Sequence, residues 1–175
     1  MTVHPIDQTT DHSGAHAAVP HTTDPDTGVE HKKLVAGALA EVLSDTYILV
    51  VKTHAYHWNV VGPLFYSVHN LTEEHYNDMF AAADELAERM RALGALAPMN
   101  VAEMAQRSKI PEASGTPSAG EMLDDLAASH EKLARRLRRL IEAAGAANDP
   151  VTEDLATERC AFHEKASWML RALAS

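Results

Sequence analysis

Residues 52–89 read KTHAYHWNVVGPLFYSVHNLTEEHYNDMFAAADELAER, and the punctuation inside this stretch decides the fold. Gly62-Pro63 interrupts a helical pattern, because proline has no N–H to donate and glycine admits backbone conformations that a helix does not use. Upstream of the break a first helix runs roughly from Val29 to Val61. Leu34, Leu39, Val42, Leu43, Ile48, Leu49 and Val50 give it a wide apolar face. Downstream a second helix runs roughly from Phe65 to Leu93, where Gly94 supplies the stop.

Working outward, a Pro-, Ser- and Gly-containing connection runs from Ala95 to Pro117, and VAEMAQR (101–107) within it suits one or two helical turns. A third helix opens at Ser118, with Glu121 three residues on as a capping box, and reaches about Ala144. A fourth opens at Asp149-Pro150, an N-cap followed by proline at the first helical position, and continues nearly to the end. The expected architecture is all-α: a four-helix bundle of the ferritin-like type. Its long crossover lies between the second and third helices and carries a short extra helix. Residues 1–28 are rich in Pro, Thr, Asp and Gly without apolar period, so a flexible tail is expected ahead of a bundle domain spanning 29–175.

Composition supports helices. The chain has 175 residues, 46% of them hydrophobic but only 5% aromatic, and Ala and Leu carry the apolar content. Fifteen Lys and Arg against 25 Asp and Glu leave a net charge of −10, which attracts cations rather than nucleic acid or anionic membrane. A single cysteine, Cys160, excludes an intrachain disulfide framework and a Cys-rich zinc module. MTVHPIDQTT has no basic or apolar leader region, and no apolar run of membrane-spanning length is read from the sequence. A cytoplasmic protein is expected, with nucleoid association as the alternative.

The chemistry concentrates where the first helix ends and along the second. Taking about 100° per residue from His69, Glu73 lies at roughly 40°, Asp84 at roughly 60° and Glu88 at roughly 100°, so all four share one face. His57 closes the preceding helix. Asp84, however, stands about 16 Å along the helix from Glu73, too far for one metal ion to touch both. Either these are two separate features, or a second copy of the helix runs antiparallel and brings Asp84 and Glu88 to His57, His69 and Glu73. Two imidazoles and three carboxylates suit iron, with zinc or manganese as alternatives. No Glu in the chain is followed three residues later by His, which disfavours the Glu-x-x-His centre of ordinary di-iron bundles.

HWNVVGPLFYSVHNLTEEHY followed by ADELAER closely resembles the signature of the Dps family, the mini-ferritins named as DNA-binding proteins from starved cells. The likeness covers most of residues 30–175. It implies a hollow homo-dodecamer with ferroxidase centres at two-fold interfaces, where His57, His69 and Glu73 of one subunit meet Asp84 and Glu88 of another. It implies Fe(II) and hydrogen peroxide, or more slowly dioxygen, as substrates, and a ferric mineral stored in the cavity. At the position of Glu73 the family often carries Asp; glutamate keeps the carboxylate on a longer arm. The family also implies negatively charged three-fold pores near the start of the fourth helix, where Asp154 matches best and Glu158 follows one turn on.

Other features have plainer readings beside the functional one. Trp58 adjoins His57 and either packs at a helix end or intercepts a stray oxidising equivalent. His54, on nearly the same face as His57, is an auxiliary group or a structural histidine. His75 points about 240° from His69, away from the ligand face, and His130 falls on an apolar face as a buried, hydrogen-bonded ring. Lys132, Arg135, Arg136 and Arg139 form a stripe read as a solvated, salt-bridged face rather than a DNA contact. His4, His12, His16 and His21 lie among acidic residues in a tail without Lys or Arg. This suits divalent-metal binding by neutral imidazoles and argues against DNA binding through a basic arm.

Overall fold

Gly62 takes a φ of 94°, costly for any residue with a Cβ, and at this point the chain turns from one long helix into the next. The computed structural model describes residues 25–175; the tail histidines His4, His12, His16 and His21 lie outside the described residues. Among those described there are five helices and no strand: α1 (Lys32–Asn59), α2 (Phe65–Ala92), α3 (Val101–Arg107), α4 (Ala119–Ala146) and α5 (Pro150–Ala174). α1 packs against α2 and α4 against α5; α1 also packs on α4, while the long connection lays α3 on α1. This is the expected bundle, short crossover helix included.

The helix ends follow the local chemistry. Ser118 and Glu121 form the reciprocal capping box of α4, and the Asp149 carboxylate accepts the Thr152 N–H at 3.0 Å ahead of Pro150. α1 starts at Lys32 rather than Val29 because His31 adopts a left-handed φ of 51°; its side chain makes no capping bond, and only its carbonyl joins the first turn. Leu34, counted on the apolar face, is 61% exposed, whereas Leu39, Val42, Leu43, Ile48, Leu49 and Val50 are buried. The register in the first turn places Val35, not Leu34, against the core. By length and composition α1 could cross a membrane, contrary to the sequence reading, but most of its apolar window is buried by the other helices. It is a core helix. Leu123, Leu126, Leu133 and Leu137 of α4 are fully enclosed, each contributing about 1.5–3 kcal/mol of transfer free energy.

Arg136 departs from the solvated stripe in which the sequence places it. It is buried, donates to Asp45 at 2.7 Å and pairs with Glu41 at 3.0 Å, while Lys132, Arg135 and Arg139 are exposed. Asp45 also accepts the Ser108 hydroxyl and the Lys109 N–H. This cluster therefore fixes the long connection to α1 and α4, and with it the frame from which α2 presents its face.

Candidate metal centre

The site begins with two rings brought together by the tight α1–α2 connection. His57, near the C-terminus of α1, and His69, early in α2, stack with centroids 3.8 Å apart and planes 17° apart. Their Nδ1 atoms are used reciprocally. His57 Nδ1 lies 2.9 Å from the His69 carbonyl oxygen, and His69 Nδ1 lies 3.1 Å from the His57 carbonyl oxygen. A carbonyl only accepts, so each Nδ1 carries the proton and donates it. In each neutral ring the lone pair then belongs to Nε2, the atom left to bind a metal. The His57 carbonyl is one of the last four of α1, so the clasp also satisfies a group that the helix itself leaves open.

Around this pair the structure gathers an aromatic cluster. The His54 ring lies 3.8 Å from the Tyr76 ring and 4.9 Å from the Trp58 ring, stacked on the latter at 14°. Desolvation, then the nearby His57, lowers the His54 pKa, which favours the neutral ring. Trp58 is 68% exposed, so it is not a packed aromatic; one face covers His54 and the rest meets solvent. Glu73 is exposed one turn beyond His69, and its charge acts on the Tyr76 phenol. Desolvation, then Glu73, holds that phenol above its ordinary pKa, so it stays protonated.

Asp84 and Glu88 lie elsewhere. Asp84 is exposed in an apolar groove of about 450 Å³ lined by Leu43, Tyr47, Phe80, Ala87 and Met104. Glu88 lines a different groove with Glu85, Asp154 and Glu158. Among the described residues no three His, Cys, Asp or Glu side chains come together so as to hold a metal ion. One chain thus brings His57 and His69 together, with Glu73 one turn further along α2, and keeps Asp84 and Glu88 apart, as the helix arithmetic requires. Asp154 and Glu158 are exposed together on α5, facing the same groove as Glu88.

His75 is buried and turned away from the ligand face, as its wheel angle indicates, towards His130 and Phe162. Tyr76 and Thr72 are the contacts that sequence reasoning misses. Each stands three residues from a candidate ligand, Glu73 and His69 respectively, and that spacing is the signal that could have found them.

The ferritin-like domain family matches residues 36–175. A DNA protection during starvation protein from Brevibacillus brevis is 34% identical over 141 residues, covering 81% of this chain and 95% of the relative. The crystal structure of Dps from Staphylococcus aureus aligns with a TM-score of 0.80 at 31% identity, over 84% of this chain and 98% of that one. A Dps protein from Vibrio cholerae O1, described as a member of a broad superfamily of ferritin-like diiron-carboxylate proteins, aligns with a TM-score of 0.77 at 29% identity. That alignment covers 81% of this chain and 89% of the other.

Proposed function

This chain belongs to the Dps family of ferritin-like proteins, and from that premise we propose that it is a ferroxidase and iron-storing mini-ferritin working between subunits of a dodecamer. Fe(II) is the substrate, with hydrogen peroxide or dioxygen as the oxidant. The observation that carries the reading is the reciprocal His57–His69 clasp, which leaves two Nε2 lone pairs unspent, with Glu73 one helical turn beyond His69 in sequence. The missing carboxylates come from a second copy, whose α2 supplies Asp84 and Glu88. The apolar groove around Asp84, with Phe80 59% exposed at its edge, is the surface such a copy would cover.

The reaction balances with two irons per peroxide. Each Fe(II) gives up one electron, the O–O bond of the peroxide breaks, and two waters supply the remaining oxygen. The products are two FeOOH units and four protons. Taking both electrons at one centre consumes the oxidant without releasing hydroxyl radical. His57 and His69 hold the metals by nitrogen, while Glu73, Asp84 and Glu88 offset their charge. Asp154 and Glu158 form the acidic approach for Fe(II), and the cytoplasm is the compartment. DNA is protected by this chemistry rather than by binding: the net charge of −10 repels it.

The test is the pair of substitutions His57→Ala and His69→Ala in one protein. Peroxide-driven Fe(II) oxidation is expected to fall at least about a hundredfold with the oligomer intact, because no thiolate or Glu-x-x-His pair can substitute. Wild-type oxidation kinetics in a correctly assembled double variant would end the proposal.

A further inference from the structure

His57 and His69 are held in similar ways but not equally. The Nδ1 of His69 has one acceptor, the His57 carbonyl, whereas the Nδ1 of His57 has two. The second is Thr72, whose side chain has no solvent exposure. Its Oγ1 lies 2.7 Å from the Val68 carbonyl oxygen, 3.0 Å from the His69 carbonyl oxygen and 3.3 Å from His57 Nδ1.

A hydroxyl has one proton to give. Here it goes to a main-chain oxygen, the Val68 carbonyl being the nearest, so a lone pair of Oγ1 is left facing His57. The Nδ1–H of His57 is then shared between the His69 carbonyl and the Thr72 hydroxyl. The alternative tautomer would set a nitrogen lone pair against the His69 carbonyl oxygen with no proton between them, and would pull the Thr72 proton away from the nearer Val68 carbonyl. A ring flip would bring a carbon edge to the same place. Both are disfavoured, and in a buried setting an unmet polar contact of this kind costs about 1–3 kcal/mol.

We propose that Thr72 is a positioning residue of the metal centre: its buried hydroxyl pins the Nδ1–H of His57 and so keeps the Nε2 lone pair directed at incoming Fe(II). The assignment rests on His57 being a ligand. Thr72 itself touches no metal. Its effect reaches the reaction through the orientation and tautomer of one imidazole, as partners of metal-bound histidines do elsewhere.

The experiment measures Co(II) binding to the iron-free assembled protein, since Co(II) is stable in air and its visible bands report its ligands. Thr72→Val preserves shape and removes the hydroxyl; Thr72→Ser preserves the hydroxyl. Thr72→Val is expected to weaken Co(II) binding about tenfold, with Thr72→Ser close to wild type. In Fe(II) oxidation the valine variant should raise KM with kcat at saturating iron little changed. Equal Co(II) affinity in wild type and Thr72→Val, in shells of the same size, would overturn the proposal. If the valine variant does not assemble, Thr72→Ala is read against Thr72→Ser by the same criterion. Protein carrying His57→Ala and His69→Ala separates the two levels. Co(II) binding unaffected by those changes would defeat the reading of the centre itself. Binding that depends on them but ignores Thr72 would defeat only the positioning role.

Discussion

Lys52 is 2% exposed, yet its ammonium lies 2.8 Å from each Asp125 oxygen and 3.2 Å from the Ser129 hydroxyl. Tyr56 donates to the same carboxylate at 2.6 Å. Desolvation lowers the Lys52 pKa while Asp125 opposes the shift, and desolvation followed by the Asp125 interaction raises that of Tyr56. Lys52→Met keeps the apolar stem and removes the charge. The Asp125 side chain is 34% exposed and can recover water, so we expect a loss of about 2 kcal/mol, less than the 3–5 kcal/mol typical of a fully buried broken pair. Thermal unfolding at fixed subunit concentration would measure it, and an unchanged midpoint would contradict the account. At this scale the sequence is legible where spacing along one helix decides position, as for His69 and Glu73. It is not legible where a partner arrives from another helix. Arg136 reads as one of several surface cations, and only Asp45 and Glu41, some ninety positions earlier, show why it is buried.

α2 carries both halves of the candidate centre on one face, His69 and Glu73 near its start and Asp84 and Glu88 beyond its middle. Its start is fixed by the turn at Gly62, and Arg89 anchors its far end by donating to Asp149 at 2.6 Å and Thr152 at 2.8 Å. A centre shared by two antiparallel copies of this helix has a consequence that an intrasubunit centre lacks. Protein with His57→Ala and His69→Ala, and protein with Asp84→Ala and Glu88→Ala, should each be inactive alone. Co-assembled in equal amounts, half of the two-fold pairs are mixed. Each mixed pair has one centre with all five ligands intact and one that keeps only Glu73, so about a quarter of wild-type activity should return. Recovery of no activity from verified mixed shells would remove the intersubunit centre. The elements were readable because their ends are local events: a capping box, an Asp-Pro start, a glycine stop. The start of α1 was not, because the left-handed turn at His31 is an uncommon choice for a residue with a Cβ. Likewise, no periodicity says that Leu34 turns outward.

Across the whole molecule, three histidines from three helices meet inside the bundle. His75 of α2, His130 of α4 and His163 of α5 are all buried, with the His130 and His163 Nδ1 atoms 2.8 Å apart. One of these nitrogens donates and the other accepts, so the accepting ring is neutral, and desolvation favours the neutral form of its partner as well. Among the described residues His75 Nδ1 and His130 Nε2 have no hydrogen-bond partner. The charges acting on the cluster come from α2 and α5: Asp78, Lys165, and Arg159, which pairs with Asp78 and lies over the Phe162 ring. Desolvation is the leading cause throughout. It pushes His75 down to about 4 and His130 and His163 well below the ordinary histidine value. The sign of the linkage follows. Above pH 6.5 the rings are neutral in both folded and unfolded chains and cost nothing. Below it the unfolded chain takes up protons that the folded chain refuses, so stability falls as the pH drops towards 4, by up to about 1.4 kcal/mol per pH unit for each ring. Metal-free protein should therefore lose urea resistance steeply between pH 6.5 and 5, before most carboxylates titrate. Replacing His130 and His163 together by leucine should flatten that slope by up to about 2.7 kcal/mol per pH unit, whatever it does to stability at pH 8. If the double replacement leaves the slope as steep as wild type, the acid sensitivity lies in the subunit contacts and not in the histidine core.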